Sequence, residues 1–307
     1  MPGKASIKVY DTPAFTTKFM PSEELNATLK AGFNRFFIVR VEDMYRHVHH
    51  AVPASRSTTH TGIYLTAGEA YMKIGSELYT IHKNEMLFVP AGQVFSFEAY
   101  DNTKFNKGYL FNFHDDILVG KFGKTSLLRD FEFLTAWGNP QISPDKQTSR
   151  FVLHLLKRLF LEYTENGLSN LNIIQPYFIT LLCEVNRAYQ PLSKSPYTHA
   201  VNLTNQFKQL LFTKIKTTHL VSDYAGLLHI TPNHLNKAVR TITGKSPGKW
   251  IDEAIVLEAK VLLSQSTLSI SEVAVEVGVE DQSYFTRLFK KQEGITPTTF
   301  RKMIEKS

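Results

Sequence analysis

The sequence predicts an α+β chain: a strand-rich N-terminal part, a helical middle and an all-α C-terminal domain. Three observations carry this. Short runs of β-branched and aromatic residues, broken by turn formers, recur up to about residue 115. The apolar period then changes to three and four. The last third repeats one two-helix pattern at an offset of 49 to 50 residues.

The 307 residues are 43% hydrophobic and 21% charged, an ordinary globular composition with room for about two domains. No apolar run approaches the ~18 residues of a membrane span. Residues 1–6 lack the apolar stretch of a secretory signal. Cys183 is the single cysteine, which excludes an internal disulfide and a Cys-based zinc finger. A soluble, cytoplasmic protein is the expectation. The net charge is +7, of which residues 196–307 carry +4 (14 Lys+Arg against 10 Asp+Glu). That suits a polyanionic partner without proving one.

The predicted strands are Ile63-Tyr64-Leu65, Ala70-Tyr71-Met72-Lys73-Ile74, Leu78-Tyr79-Thr80-Ile81, Met86-Leu87-Phe88-Val89, Val94-Phe95-Ser96-Phe97 and residues 109–113. Gly75-Ser76 is a tight hairpin signal, and Lys83-Asn84-Glu85 and Pro90-Ala91-Gly92 are further turns. Such spacing predicts a small antiparallel barrel or double-sheet roll. Phe151, Val152, Leu155, Leu156, Leu159, Phe160 and Tyr163 then mark one helix, stopped at Gly167. Ile174, Tyr177, Phe178, Leu181, Leu182, Val185 and Ala188 mark a second, with Pro176 in its first turn. Proline and serine at 191–196 predict a linker.

The repeat comes next. Ser222-Asp223-Tyr224-Ala225, Leu235, Val239 and Gly244-Lys245-Ser246-Pro247 are matched by Ser271-Glu272-Val273-Ala274, Phe285, Phe289 and Gly294-Ile295-Thr296-Pro297. Each copy reads helix, turn, helix, with Ser222 and Ser271 capping the first helices. Thr231-Pro232 and Asp281 start the second helices. The alanines let two steeply crossed helices touch, and Gly278 permits a sharp turn. This is a helix-turn-helix signature. With Leu235, Val239, Phe285 and Phe289 inward, the outward faces carry Asn233, Asn236, Lys237 and Arg240, and Gln282, Ser283, Thr286, Arg287 and Lys290. Amide and guanidinium groups suit base edges, whereas Arg240, Lys290 and Lys291 suit phosphates. Merely solvated polar faces are the bland alternative; tandem copies with matched alanines and endings weigh against it. Residues 250–263 predict a rigid connecting helix, packed through Ile251, Ala254, Ile255, Leu257, Leu262 and Leu263.

Residues ~199–303 resemble the C-terminal DNA-binding domain of the AraC/XylS family of bacterial transcription regulators. The likeness is carried by Leu257-Glu258-Ala259-Lys260-x-Leu262-Leu263, Ile270-x-Glu272-Val273-Ala274-x-x-Val277-Gly278, Asp281-Gln282-Ser283-Tyr284-Phe285-x-Arg287-x-Phe289-Lys290-Lys291 and Gly294-x-Thr296-Pro297-x-x-Phe300-Arg301. It implies base reading by Asn233, Asn236, Lys237, Gln282, Thr286 and Arg287, while Ser283 joins Arg240, Lys290 and Lys291 as an expected phosphate contact. Val279 stands where an aromatic is usual, His229 where a small turn-former is common, and Val239 where a bulky aromatic is usual.

The resemblance also implies an N-terminal cupin-like β-barrel that senses a small molecule, and a helical dimerisation segment. The domain expectation is a sensor barrel at 1–135, a dimerisation segment at 136–190, a linker at 191–198 and the reader at 199–307. Alternation places Tyr64, Met72, Phe88 and Phe97 in the barrel interior, and His60, aligned with the barrel's entry strand, joins them as the expected effector pocket. The expected partners are double-stranded DNA, an unidentified small-molecule effector, a second copy of the chain and RNA polymerase, with no membrane and no cofactor.

His47-Val48-His49-His50 is read as a polar loop and His114-Asp115-Asp116 as a charged one. A cupin metal site lacks two ligands, since Phe95 replaces the late histidine and no glutamate follows His60. No metal site and no catalytic residue are therefore assigned. Cys183, among Leu181, Leu182 and Val185, is expected to be a buried inert thiol. Two alternatives stay open: a cupin-type metal-dependent enzyme fused to a DNA-binding domain, and a non-specific architectural DNA binder.

Overall fold

The computed structural model describes residues 9–19, 23–47, 52–97, 105–123, 130–135, 138–189 and 199–304. The chain divides into two compact units, one of Val9–Val52 with Arg56–Pro191, the other containing Leu192–Ser307. The architecture is α+β, with a β-rich N-terminal unit and a helical C-terminal one.

The N-terminal part contains α1 (Thr12–Phe19), α2 (Glu23–Thr28), β1 (Phe36–Arg40), α3 (Val41–His47), β2 (Val52–Arg56), β3 (His60–Ala67), β4 (Glu69–Ile74) and β5 (Glu77–His82). It continues through β6 (Met86–Val89), β7 (Val94–Phe97), β8 (Lys107–Phe113), β9 (Gln141–Ile142), α4 (Lys146–Asn166) and α5 (Leu171–Ala188). Among the described residues the strands form two sheets, β1-β8-β3-β6-β9 and β2-β7-β4-β5. The expected β4–β5 hairpin closes with Ile74 opposite Glu77. Gly75 adopts φ +62 there, a conformation that glycine takes without a Cβ penalty. The sequence pattern did not disclose α1 to α3, β1 or β2.

The five-stranded sheet is covered by α4 and α5. Phe178 of α5 packs edge-on against Phe36 and Phe113, with ring centroids 5.1 and 4.8 Å apart. Val152, Leu156, Leu159 and Tyr163 of α4 join the same core. α4 is capped by Asp145, and it ends at Gly167 as the sequence predicts.

α5 differs from expectation at two residues. It starts at Leu171, so Pro176 lies inside the helix rather than in its first turn. Cys183 is exposed, not buried, because Leu181, Leu182 and Val185 take the inward face and its neighbouring position turns outward. No helix among the described residues is long and apolar enough to cross a membrane.

The second unit runs α6 (His199–Lys214), α7 (Val221–Leu227), α8 (Pro232–Thr243), α9 (Pro247–Gln265), α10 (Ile270–Glu276), α11 (Gln282–Glu293) and α12 (Pro297–Ile304). α9 is the predicted connector. Ile251, Ile255, Val256, Ala259, Leu262 and Leu263 sit in one core with Leu235, Val239, Phe285 and Phe289. Leu257 is only half-buried, and Val261 takes a fully buried place instead. The expected linker at 191–198 lies outside the described residues.

Candidate nucleic-acid interface

α7–α8 and α10–α11 are built alike. Ala225 and Ala274 have no exposed surface, as close helix contact requires. Tight turns follow, in which Ile230 N–H donates to the Ala225 carbonyl and Val279 N–H to the Ala274 carbonyl. His229 (φ +54) and Gly278 (φ +81) take the left-handed backbone that makes each turn. Thr231 then caps α8 by accepting from His234 N–H, with Pro232 in the first turn. Asp281 caps α11 by accepting from Ser283 N–H. Gly244 (φ +73) and Gly294 (φ +77) end the two helices.

The caps of the first helices differ from expectation. Ser222 lies inside α7, whose cap is Leu220 without a side-chain hydrogen bond; its hydroxyl donates to Asp223 instead. In the second copy Ser269, not Ser271, is the cap. Its hydroxyl accepts from Glu272 N–H while the Glu272 carboxylate accepts from Ser269 N–H, a reciprocal pair that starts the helix earlier. Those bonds hold the Glu272 carboxyl below its ordinary range.

From 231 to 240 and from 281 to 290 the order of buried, half-buried and exposed positions is the same. Leu235, Ala238 and Val239 face inward in α8, and Phe285, Leu288 and Phe289 in α11. Asn233, Lys237 and Arg240 are exposed and Asn236 is half-buried. Gln282, Ser283, Arg287, Lys290 and Lys291 are exposed and Thr286 is half-buried. Every sequence-chosen reader thus reaches the surface. Asn236 donates to the Pro232 carbonyl at 3.0 Å, which leaves its second N–H and its amide oxygen for other partners.

Charge is partitioned on the same unit. Lys245 and Lys260 are held internally by Glu253 and Glu293, at 3.0 and 2.9 Å. Among the described residues Lys237, Arg240, Arg287 and Lys290 enter no ion pair. Cations without an ion pair on two outward helices remain available to an anionic partner.

Of the residues assigned to an effector pocket, Met72 and Phe97 come together and the other three stand apart from them. A cavity in the first unit is lined by Met72 and Phe97, with Phe15, Phe37, Phe95 and Leu110 among others. His60, Tyr64 and Phe88 are not among its walls. His60 Nε2 lies 2.8 Å from Asp115 Oδ1, its Nδ1 accepts from Ala91 N–H, and its ring stacks on Phe113. The hydrogen bond from His60 holds the Asp115 carboxyl below the usual range. Tyr64 donates toward Asn84 and the Ser149 carbonyl, and Phe88 packs on Phe111 and Phe133.

The alternation was off by one position on β3 and β6, since Thr61 and Val89 are the residues that line the cavity. Three histidines of the 47–50 segment lie beyond what the side-chain description covers. No group of three His, Cys, Asp or Glu residues that could hold a metal ion is found among the described residues.

A shared core that presents two outward, cation-bearing second helices defines a helix-turn-helix DNA-binding domain. Residues 224–303 match the family described as a helix-turn-helix domain. YisR of Bacillus subtilis, an uncharacterized HTH-type transcriptional regulator, is 33% identical over 93 residues, covering 30% of this chain and 32% of that protein. The bifunctional transcriptional activator/DNA repair enzyme AdaA of the same species is 32% identical over 110 residues, covering 36% and 51%. The arabinose operon regulatory protein of Salmonella typhimurium is 26% identical over 132 residues, covering 43% and 44%. The chain therefore spans about a third to a half of these relatives. Through this domain the chain is similar to transcriptional regulators, the arabinose operon regulatory protein among them.

Proposed function

We propose that this chain is a sequence-specific DNA-binding transcription regulator whose N-terminal unit senses a small molecule. The matched exposure of α8 and α11 supports this most strongly: the same inward scaffold is used twice, and what differs faces outward. Asn233, Asn236, Lys237, Gln282, Thr286 and Arg287 are assigned to base edges, and Arg240, Ser283, Lys290 and Lys291 to phosphates. α8 and α11 enter successive major grooves about 34 Å apart, one helical turn. Two readers on one chain then recognise an asymmetric site.

The finer architecture belongs to the same proposal. The two sheets act as a cupin-like sensor barrel (1–135), α4 and α5 as a dimerisation segment (136–190), residues 191–198 as a linker and 199–307 as the bipartite reader. RNA polymerase is the further partner, the chain works in the cytoplasm, and it carries no catalytic site. Control is a population shift: a ligand of the first unit favours one of two states in proportion to its differential affinity for them.

The direct test is fluorescence anisotropy of the full chain on duplex DNA at physiological salt. A preferred site should bind roughly 10³-fold or more tightly than random duplex. Equal affinity for every duplex would make the protein an architectural binder instead.

A further inference from the structure

The two helix-turn-helix copies pack on α9 more than on each other: α8, α10, α11 and α12 all rest against it. Each end of α9 is a joint. Gly244 ends α8 just before Pro247 starts α9, and residues 266–269 carry the chain from α9 to α10. A helix held between two joints fixes a length and leaves the angles to other contacts. A direct tie between the copies runs from the α6–α7 loop to the α10–α11 turn.

The loop is pinned on its own. Thr217 N–H and Thr218 N–H donate to the Lys214 carbonyl. The buried Tyr224 donates its hydroxyl to the Thr218 carbonyl at 2.8 Å, and Ile215 is anchored in the shared core. His219 Nε2 donates to the Ile215 carbonyl at 2.7 Å, which fixes the imidazole over its own loop. The turn is pinned as firmly. Gly278 N–H donates to the Val275 carbonyl, and Val277 and Val279 on either side enter the core.

Loop and turn meet at Gly278. A Cβ there would stand 2.6 Å from the Lys216 oxygen and 2.9 Å from His219 Nε2, with the ring's Cε1 closer still. Only a bare Cα fits, so the imidazole and the carbonyl close on the glycine in van der Waals contact. The matching residue of the first copy, His229, is exposed. α7 begins two residues after His219 and α11 four residues after Gly278. The contact therefore sets the start of one two-helix unit against the turn of the other.

We infer that His219 is a positioning residue: seated on Gly278, it locks the α6–α7 loop to the second turn and so fixes the one half-site spacing that α8 and α11 accept. This rests on reading those helices as two DNA readers, and it adds what sets the distance between them.

One inserted base pair turns a half-site by roughly 35° and moves it about 3.4 Å along the duplex. A locked pair of readers cannot follow; a hinged pair can. Fluorescence anisotropy of the full chain compares the preferred two-block duplex with duplexes that have one base pair inserted or removed between the blocks. The parent should bind both altered duplexes about tenfold or more weakly. His219→Ala should shrink that ratio to about threefold or less. The ratio is the readout, because a general loss of stability weakens all three duplexes alike.

Gly278→Ala forces the same contact apart from the other side and serves as the second variant if circular dichroism shows His219→Ala unfolded. Ser269→Ala removes a helix cap, leaves this contact in place and should keep the parent's ratio. A parent indifferent to spacing, an unchanged ratio in the folded contact variant, or equal loosening in Ser269→Ala would overturn the inference and leave two readers standing. Absence of any two-block site would sink the regulator reading, and the inference with it.

Discussion

α7–α8 and α10–α11 bury matching positions and pin their backbones differently. In the second copy Ser269 and Glu272 cap each other, and the turn rests on Gly278. In the first, Leu220 holds the cap position without a side-chain bond, although its φ −99 and ψ 138 already suit a capping residue. His229 takes the left-handed turn there with a Cβ attached. The inward aromatics differ too, Phe285 and Phe289 standing where the first copy has Leu235 and Val239. What is duplicated is the packing; the outward side chains, the caps and the turn residues differ.

The largest expected effects test the shared packing. Phe285→Ala should destabilise the C-terminal unit by about 3–5 kcal/mol and Leu235→Ala by about 2–5 kcal/mol in denaturant unfolding. A negligible loss for Leu235→Ala alone would show that the copies are not packed alike.

Reading chemistry comes next. Arg287→Ala should cost about 1–3 kcal/mol at the preferred site and relax one base position. Lys290→Ala should weaken all sequences alike and lower the salt slope by about 1. If Arg287→Ala leaves the preferred bases unchanged, the second reader is misassigned.

The turns separate the copies at a smaller scale. A Cβ on Gly278 would lie 2.6 Å from the Lys216 carbonyl oxygen and 2.3 Å from the His219 ring. Gly278→Ala should therefore cost more than the roughly 1–2 kcal/mol of a left-handed residue alone. His229→Gly should cost nothing and gain up to about 1 kcal/mol. Thermal unfolding of both variants checks this asymmetry.

The caps give the smallest effects. Ser269→Ala should cost about 1 kcal/mol, and Leu220→Ser should gain a comparable or smaller amount. Because the folded-state pKa of Glu272 lies below its ordinary 4.5, its contribution is fully present above that pH. It fades as pH falls through the folded value. Acidification should thus narrow the gap between Ser269→Ala and the parent.

Much of this was legible in the sequence because local chemistry sets it. Gly75-Ser76, Thr231-Pro232, Asp281 and the repeated alanines each act within a few residues. The tandem arrangement exposed the outward face of the second helices through its spacing. The β-rich first unit was less legible.

Residues 62–65 and Met86–Val89 are buried throughout. A strand buried on both faces loses the alternation that marks inside from outside. That is why Phe88 is expected where its neighbour Val89 lines the cavity, and Tyr64 on the opposite phase of its strand from Thr61. β1 pairs with β8 through Phe36 opposite Phe113, a register that no local window contains. Cys183 misled because apolar neighbours in sequence are not neighbours around a helix. Ser271 misled because Ser269 sits three residues before Glu272, and the reciprocal bond decided the start.

Selection of bound duplexes from a random DNA pool tests the two-reader arrangement most directly. The account predicts two enriched blocks whose centres lie about 10–10.5 base pairs apart, with Arg287→Ala erasing information in one block only. Enrichment of a single block, or of none, would contradict it.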